Sequence, residues 1–255
     1  MKIVRVQDLL LGAETSAKKF NTEVWWRGQT EDWPLLPGVY RPDLCPISPQ
    51  TDLERSLTIR FLLDAKTRHH HWPDGDHSLQ LALMQHYRLP TRLLDWTESP
   101  LFGLFFATRN KDDKPGVLWA LSPSALNQED FGTEQFLSPS RDDVSELFKA
   151  PFGLSDTHFD KVGALAFMRI DARMAAQLST LTIHGSREPL ERRKESERHL
   201  LKFVIPANEK PSLRMELVDL GIRESILFPD LDHLAEELKR FAKQGILSSK
   251  RNSQA

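Results

Sequence analysis

The sequence has little cysteine, no long apolar run and almost no excess of charge of one sign. Cys45 is the single cysteine in 255 residues, which excludes an intramolecular disulfide and a cysteine-rich metal site and suits a reducing compartment. Lysine and arginine (34) nearly balance aspartate and glutamate (36), so no overall field favours nucleic acid or a membrane surface as the partner. No apolar run approaches the roughly 18 residues of a membrane-spanning helix, and no signal peptide pattern is visible. We therefore expect a soluble, cytoplasmic protein without a membrane partner.

Signatures of common cofactor sites are missing as well. The chain has no glycine-rich phosphate loop, no GxSxG elbow and no zinc-type ligand spacing. Three consecutive histidines, His69, His70 and His71, end a predicted helix, but neighbouring residues on a helix point in different directions and no second ligand cluster accompanies them. We interpret them as a solvated helix end and expect no metal.

What the sequence does contain is an alternation of strand-like and helical segments, without an internal repeat. Short apolar stretches predict strands at residues 24–29, 116–121, 164–170, 181–186 and 200–206. The spacing of apolar residues predicts helices at residues 51–71, 78–87, 208–220 and 231–243, and another that begins at Ser99-Pro100. These segments predict an α+β fold with a mixed or antiparallel central sheet flanked by helices.

The domain organisation follows from the length and from one polar stretch. A chain of 255 residues suffices for one sizeable core, and we predict a single domain over residues 1–247 with a frayed tail at residues 248–255. Residues 122–163 are polar and irregular, with a helical pattern only at residues 142–148. We interpret this stretch as a surface insertion that serves as a lid or a partner-binding loop.

Residues 85–107 are the strongest candidate for a functional site, because polar side chains lie there between two apolar runs. The polar residues are Gln85, His86, Thr91, Arg92, Asp95, Thr97, Glu98 and Ser99. A carboxylate such as Asp95 in this setting should be partly buried and should need a partner, because desolvating it alone is costly. Ser99 and Pro100 place the cluster at a helix N-terminus, where backbone N–H groups and the helix dipole favour an anion.

Arg27 is the second candidate for a functional residue. It lies at the end of an aromatic strand, where its planar, charged fork would suit a phosphate or a carboxylate. Gly28 would then let a ligand approach the backbone closely. The alternative is a structural pair between Arg27 and a buried acid such as Asp95. His184, which precedes Gly-Ser, similarly either meets a ligand or is a satisfied histidine at a sheet edge.

Several motifs together resemble those of the FRG domain family, which is named for an aromatic-Arg-Gly motif. The motifs are Trp26-Arg27-Gly28-Gln29, the block of residues 83–100, Ile183-His184-Gly185-Ser186 and Leu227-Phe228-Pro229-Asp230-Leu231-Asp232. Trp26 stands in the aromatic position of the first motif. The resemblance covers roughly residues 25–238, nearly the whole chain, and the central block is long enough to be specific.

A weaker resemblance is to ADP-ribosyltransferases of the arginine, serine, glutamate type. That family orders its catalytic motifs as a strand ending in aromatic-Arg-Gly, a hydroxyl-rich strand followed by a small-residue helix and another strand, and a late glutamate before an apolar run and a proline. The corresponding segments here are Trp26-Arg27-Gly28, residues 95–99, residues 117–119, and Glu224 followed by residues 225–229. The resemblance implies an ADP-ribosyltransferase-like fold.

The same resemblance implies a role for individual residues. Arg27 would grip the phosphates of NAD, the Gly28 backbone would meet the nicotinamide amide, and Glu224 would bond the nicotinamide ribose as positive charge develops there. Two positions depart from the family pattern. Ile222 stands where transferases that modify arginine carry Glu or Gln, and Asp95 stands where the pattern has a hydroxyl.

The first function compatible with these observations is an NAD-consuming ADP-ribosyltransferase or NAD glycohydrolase, acting as a toxin or an antiphage effector. Its catalytic candidates are Arg27, Asp95 and Glu224. The candidates for binding NAD, the expected nucleotide substrate, are Arg27, Gly28, Gln29, His86, Arg92, Thr97 and Ser99. The macromolecular acceptor, protein or nucleic acid, is not specified by the sequence.

The alternative function is a module that binds a nucleotide or single-stranded nucleic acid without catalysis. Arg27, His86 and Arg92 would form its cationic pocket. Its stacking surfaces would be Trp25, Trp26 and Trp96. Both functions require Arg27 and His86 to face one solvent-reachable cleft, and the enzyme needs Asp95 and Glu224 there as well.

Overall fold

The computed structural model describes residues 1–42, 50–69, 71–156 and 160–243, which build one open, six-stranded sheet. The strands are β1 (Trp25–Gln29), β2 (Leu93–Thr97), β3 (Gly116–Leu121), β4 (Val162–Ala164), β5 (Ser179–His184) and β6 (Leu200–Ile205). They lie in the order β4-β5-β2-β1-β3-β6, and all neighbours among them are antiparallel. The predicted α+β fold is therefore confirmed, with the sheet antiparallel. Cys45, His70 and the predicted tail lie outside the described residues.

Helices flank the sheet. They are α1 (Val6–Phe20), α2 (Gln50–Arg68), α3 (His77–His86), α4 (Pro100–Thr108), α5 (Pro123–Phe131), α6 (Asp142–Lys149), α7 (Ala172–Ala176), α8 (Lys210–Asp219), α9 (Glu224–Leu227) and α10 (Leu231–Lys243). Four of those described, α3, α4, α5 and α7, begin at a residue whose side chain caps the helix. Ser99 and Ser122 cap α4 and α5 through their hydroxyls, and a proline follows each of them at the first helical position. None of the described helices is both long and apolar enough to cross a lipid bilayer.

α4 crosses β1 where two glycines allow a close approach. A Cβ on Gly28 would lie 1.9 Å from the Gly103 carbonyl oxygen and 2.5 Å from the Ala107 nitrogen, both in α4. A Cβ on Gly103 would lie 2.6 Å from a methyl group of Leu118 in β3. Trp26 packs beside this crossing in a buried cluster that also takes residues from α1 and α8. Gly28 therefore sets the distance between helix and sheet.

The other half of the sheet is covered by α3 and α6. Residues of these helices pack with Leu93, Leu181 and Ile183 in a second buried cluster. Directly opposite residues of paired strands share a sheet face, and the register links Ile183 to Leu93 in β2 and Thr97 to Trp26 in β1. The two clusters therefore lie side by side on one face of the sheet.

The predicted surface insertion at residues 122–163 is instead part of the folded body. The segment holds α5, α6 and most of β4. Its buried residues include Leu126, Asn127, Phe131, Leu137, Val144, Leu147, Phe148 and Val162. The strand predicted at residues 164–170 also differs, because β4 ends at Ala164 and the following Leu165 makes only an isolated bridge to Leu137.

Candidate functional site

A pocket of about 240 Å³ opens where β1 and β2 diverge. These strands are in register at Trp26 and Thr97, whereas β1 pairs with β3, and β2 with β5, along their full lengths. The pocket is therefore a gap between two otherwise continuous parts of the sheet. The charged and amide side chains that line it are Arg27, Gln85, His86, Arg88, Asp95, Arg173 and Gln177.

Arg27 reaches across the gap between the two strands. Its Nη1 donates to the Asp95 carbonyl oxygen at 2.6 Å, whereas its buried Nε has no hydrogen-bond partner among the described residues. Burial lowers the pKa of Arg27 to about 10, Asp95 opposes this shift and Arg41 adds to it. The guanidinium is thus still charged at neutral pH. Arg27 therefore links β1 to β2 through the Asp95 backbone and lines the pocket, whereas the pair with a buried carboxylate that was its alternative role is not formed among the described residues.

Asp95 is the exposed residue of an otherwise buried strand. Its Oδ1 accepts a hydrogen bond from Gln85 Nε2 at 2.8 Å, and Gln85 Oε1 of the same side chain accepts one from the Thr91 hydroxyl. The expected burial of this carboxylate is therefore wrong, because the divergence of β1 and β2 leaves it open to the pocket. Its direct partner is an amide rather than the Arg27 guanidinium.

Two further arginines and a histidine border the pocket. His86 Nδ1 lies 3.0 Å from Asp171 Oδ2, and the same carboxyl group caps α7. Arg88 follows α3 with a φ of 66°, a left-handed conformation that is uncommon for a residue with a side chain. Burial lowers the pKa of Arg173, Asp95 opposes this shift and Arg88 adds to it. The pocket therefore combines one carboxylate with an excess of positive charge, which suits a phosphate-bearing ligand.

Several predicted binding residues serve the fold instead of the pocket. Arg92 is buried and its Nε and Nη2 bond Glu54, with the shortest distance 2.7 Å between Nη2 and Oε2. Burial alone would lower the pKa of Arg92, but Glu54 outweighs that effect and raises it. Gln29 Oε1 accepts from Trp119 Nε1 at 3.0 Å, and Ser99 caps α4. None of the three predicted residues lines the pocket.

Thr97 and Gly28 line the pocket, but both are also engaged in packing. The Thr97 hydroxyl donates to the Gln177 carbonyl oxygen at 2.7 Å and accepts from the Ser99 nitrogen at 3.1 Å. Gly28 has no room for a side chain because of α4. The close approach predicted for this glycine exists, but the neighbour is a helix.

Glu224 does not line the pocket. It begins α9, where its Oε1 accepts from Arg109 at 2.7 Å and its Oε2 accepts from Arg240 at 2.8 Å. The late strand that the transferase resemblance implied at this position is a short helix. Phe228 at the end of α9 connects this region to the pocket, because the guanidinium carbons of Arg109 and Arg173 lie 4.7 and 4.9 Å from its ring centre. Glu224 therefore lies outside the pocket, on the far side of Arg109 and Phe228 from Arg173.

The tryptophans considered as stacking surfaces belong to the core. Trp25, Trp26 and Trp96 are 1, 3 and 3 % exposed. A base cannot stack on rings that are covered by other side chains, so this part of the nucleic-acid hypothesis is wrong. Among the described residues, no group of His, Cys, Asp and Glu side chains is arranged to hold a metal ion.

His184 is a structural residue, and it lies inside the sheet rather than at an edge. Its Nε2 lies 2.9 Å from the Thr182 hydroxyl, which also accepts from Trp96 Nε1 at 3.0 Å. Burial lowers the pKa of His184 to about 3, and the charges of Arg193 and Arg27 add to the shift. A histidine held neutral in this way packs between strands and does not meet a ligand.

Several residues of the pocket were not predicted from the sequence. Arg88 lies inside the central block, but no local pattern separates it from a surface arginine. Arg173 and Gln177 lie on or beside α7, far along the chain, and they reach the pocket because β5 pairs with β2. Phe106 of α4 also lines the pocket, although its position in an apolar run indicated only core packing.

Comparison with known proteins agrees with the motifs. The family model described as the FRG domain matches residues 22–115, a range that contains Arg27, Asp95, β1, β2 and the helices α2, α3 and α4. Residues 22–115 therefore match the FRG domain, as the aromatic-Arg-Gly motif and the central block predicted, whereas the motifs at residues 183–186 and 227–232 lie outside the matched range. No curated protein and no solved structure matches this chain.

Proposed function

We propose that this protein is an NAD-consuming, ADP-ribosyltransferase-like enzyme and that the pocket between β1 and β2 binds NAD. The observation that carries the proposal is the presence of one exposed carboxylate, Asp95, in a pocket that Arg27, Arg88 and Arg173 make cationic. Both features would favour the cleavage of NAD. Cations bind the diphosphate, and an anion stabilises the positive charge that develops on the ribose as nicotinamide leaves.

The size of the pocket suggests which part of NAD it takes. Ligand sites commonly enclose about 300–1,000 Å³, so a pocket of about 240 Å³ suits one half of a dinucleotide. In our proposal the nicotinamide and its ribose enter the pocket, and the nicotinamide ring packs against Phe106. The diphosphate then lies at the cationic mouth near Arg88 and Arg173, and the adenosine half extends outside.

The proposed reaction breaks the bond between nicotinamide and ribose. Both electrons of that bond leave with nicotinamide, and Asp95 stabilises the positive charge on the ribose carbon. Either water or a nucleophile of a macromolecular acceptor, protein or nucleic acid, then attacks this carbon. We assign Asp95 the carboxylate role that the transferase resemblance gave to Glu224, because Glu224 is already bonded to two arginines behind the rim.

NAD consumption of this kind suits a toxin or an antiphage effector. Such an enzyme would act in the cytoplasm, where its substrate is available. This biological setting is part of the proposal and rests on the proposed reaction.

The test is the release of nicotinamide from NAD by the purified protein. We expect Asp95→Asn to lower the rate on the order of 10²-fold or more, as loss of a group aimed at developing charge commonly does. Glu224→Gln is the matched carboxylate control and should keep most of the activity. A Glu224→Gln variant as inactive as Asp95→Asn would overturn our assignment of the carboxylate. Calorimetry showing no binding at millimolar NAD would overturn the proposal itself.

A second candidate function is nucleotide binding without catalysis. It is favoured by one observation, namely that Glu224 is neutralised by Arg109 and Arg240 and does not reach the pocket. In this case NAD or another nucleotide would bind without nicotinamide release. Affinity would fall steeply with salt, and Arg173→Ala would weaken it, because the contacts would be mainly with phosphate.

A further inference from the structure

The chain reverses sharply between α3 and β2. α3 ends in a Schellman motif, in which the Leu89 nitrogen donates to the Met84 carbonyl oxygen at 2.9 Å and the Arg88 nitrogen donates to the Gln85 carbonyl oxygen at 2.8 Å. This turn brings Gln85, in the last turn of the helix, within hydrogen-bond distance of Asp95 in the next strand. The two side chains are therefore held together by the backbone on both sides.

Three consecutive hydrogen bonds lead from the backbone of β2 to the Asp95 carboxylate. The Leu93 nitrogen donates to the Thr91 hydroxyl oxygen at 3.2 Å, and the Thr91 hydroxyl donates to Gln85 Oε1. Gln85 Nε2 then donates to Asp95 Oδ1 at 2.8 Å. Thr91 is 2 % exposed, so bulk water has little access to its hydroxyl. We call Thr91 and Gln85 the supporting pair.

The donors in the supporting pair determine which way the Gln85 amide faces. The Leu93 N–H group already donates to the Thr91 oxygen, so the hydroxyl hydrogen needs an acceptor of its own, and Gln85 offers one only at Oε1. A flipped amide would leave that hydrogen without an acceptor and would set Oε1 against the Asp95 carboxylate. The amide N–H groups are therefore held towards Asp95.

The two oxygens of Asp95 consequently differ. Oδ1 is occupied by Gln85, whereas no hydrogen bond reaches Oδ2 from the part of the chain that the structure describes. A carboxylate that rotates freely exchanges its two oxygens, but one that is anchored through Oδ1 keeps Oδ2 in one place. Asp95 lines the pocket, so Oδ2 is the oxygen that remains for a ligand.

A bond that served only to tie the helix to the strand would end differently. Structural bonds of side chains usually satisfy groups that are buried, as the bond between Arg92 and Glu54 does. The bond from the supporting pair instead ends on Asp95, the exposed residue of β2, which water would satisfy equally well. Such a bond contributes little to stability, so its main effect is on the orientation of the carboxylate.

We propose that Gln85 and Thr91 are positioning residues, which hold the Asp95 carboxylate so that Oδ2 meets the positively charged centre of the bound ligand. This role rests on the proposed function, because in NAD cleavage Oδ2 would face the ribose carbon that nicotinamide leaves. A group aimed at developing charge is effective when it is fixed in place before the reaction. Neighbouring hydrogen bonds commonly provide that support.

NMR of the ¹⁵N-labelled full chain tests the supporting pair without NAD. The Gln85 side-chain amide, assigned through its loss in Gln85→Leu, should exchange its hydrogens with water slowly. Thr91→Val, which keeps the shape but removes the hydroxyl, should speed this exchange several-fold, and Thr91→Ser, which keeps the hydroxyl, should not. Exchange that is equally fast in the wild type and in Thr91→Val would overturn the inference. Thermal unfolding confirms that each variant is folded.

Release of nicotinamide tests the effect on the reaction. Thr91→Val should lower kcat on the order of 10-fold, as loss of a supporting hydrogen bond commonly does. Its KM for NAD should stay near the wild-type value, since Thr91 does not line the pocket. Thr91→Ser should keep kcat near that of the wild type. A change in KM alone would overturn the positioning role.

The pH profile of Gln85→Glu provides a readout that a merely structural role would not change. The introduced carboxyl group can donate to Asp95 only while it carries a proton. The activity of this variant relative to the wild type should therefore rise as pH falls from about 7 to 5. A ratio that is constant over this range would contradict the inference.

The NMR and kinetic measurements separate this inference from the proposed function. If Gln85 exchanges slowly and depends on Thr91 while the protein releases no nicotinamide, the proposed reaction is overturned and the supporting pair stands. If Asp95→Asn abolishes nicotinamide release while Thr91→Val leaves kcat unchanged, the supporting pair is overturned and the proposed reaction stands.

Discussion

At the scale of single residues, Arg27 and Arg92 show why residue type alone did not identify the binding groups. Arg92 bonds the carboxylate of Glu54, which neutralises it inside the core. Arg27 bonds a backbone carbonyl oxygen, so its charge remains available. Both arginines lie beside buried apolar residues in the sequence. Only the partner distinguishes them, and Glu54 is 38 residues from Arg92.

His184 should make stability depend on pH. Burial lowers its pKa in the folded protein to about 3, whereas the ordinary value is 6.5. Below pH 6.5 the unfolded chain therefore binds a proton that the folded protein does not, so the free energy of unfolding falls as pH decreases from 6.5 towards 3. The contribution approaches about 1.4 kcal/mol per pH unit. It is absent at higher pH, where both states are neutral.

Urea unfolding at several pH values between about 7 and 4.5 checks this prediction. His184→Gln should flatten the pH dependence by about one proton relative to the wild type. His71→Gln is the control, because His71 is exposed and its replacement should leave the profile unchanged. Wild-type and His184→Gln profiles that run parallel over the whole range would contradict the role given to burial.

At the scale of elements, the crossing of α4 over β1 depends on the absence of a side chain at Gly28. A Cβ there would lie 1.9 Å from the Gly103 carbonyl oxygen, a backbone atom that cannot move without its helix. We expect Gly28→Ala to lower the free energy of unfolding by about 3 kcal/mol or more, at the upper end of overpacking effects. Thermal and urea unfolding measure the loss.

Gly12→Ala is the matched control for this crossing. A Cβ at Gly12 would approach only side-chain atoms of Phe203 and Met1, at 3.1 and 3.3 Å, and these can shift. Gly12 also lies within α1, where alanine favours the helix by about 0.5–1 kcal/mol. The variant should therefore be close to the wild type in stability. If Gly28→Ala were equally tolerated, the packing role of the aromatic-Arg-Gly motif would be refuted.

Elements were predictable from the sequence where one pattern dominates. The strand predicted at residues 116–121 and the helix predicted at residues 231–243 have those bounds in the structure, because their apolar residues are continuous or strictly periodic. Residues 122–163 were misjudged because polar residues separate their buried apolar side chains. The exposure of Leu231, Leu234 and Leu238 on α10 was also not predictable, since periodicity defines an apolar helix face but not whether other residues cover it.

At the scale of the whole molecule, the pocket exists because two helical clusters sit side by side on one sheet face. α1, α4 and α8 cover the part around β1, and α3 and α6 cover the part around β2. The gap between the clusters coincides with the divergence of β1 and β2. Local patterns predicted Arg27 and Asp95 as site residues. Arg173 reaches the same pocket only through the strand order and register, which patterns in a single sequence do not reveal.

A ligand bound in the gap should contact both clusters and stabilise the elements around it. Amide hydrogen exchange can measure this stabilisation. We expect saturating NAD to slow amide exchange in β2, at the end of α3 and in α7, because a ligand that binds the folded state suppresses local opening around its site. β6 and α10 should be unaffected, since they lie outside the pocket lining. Arg173→Ala should remove most of the protection at the same NAD concentration, whereas protection that is uniform across the sheet, or absent from β2, would mean that NAD does not occupy this gap.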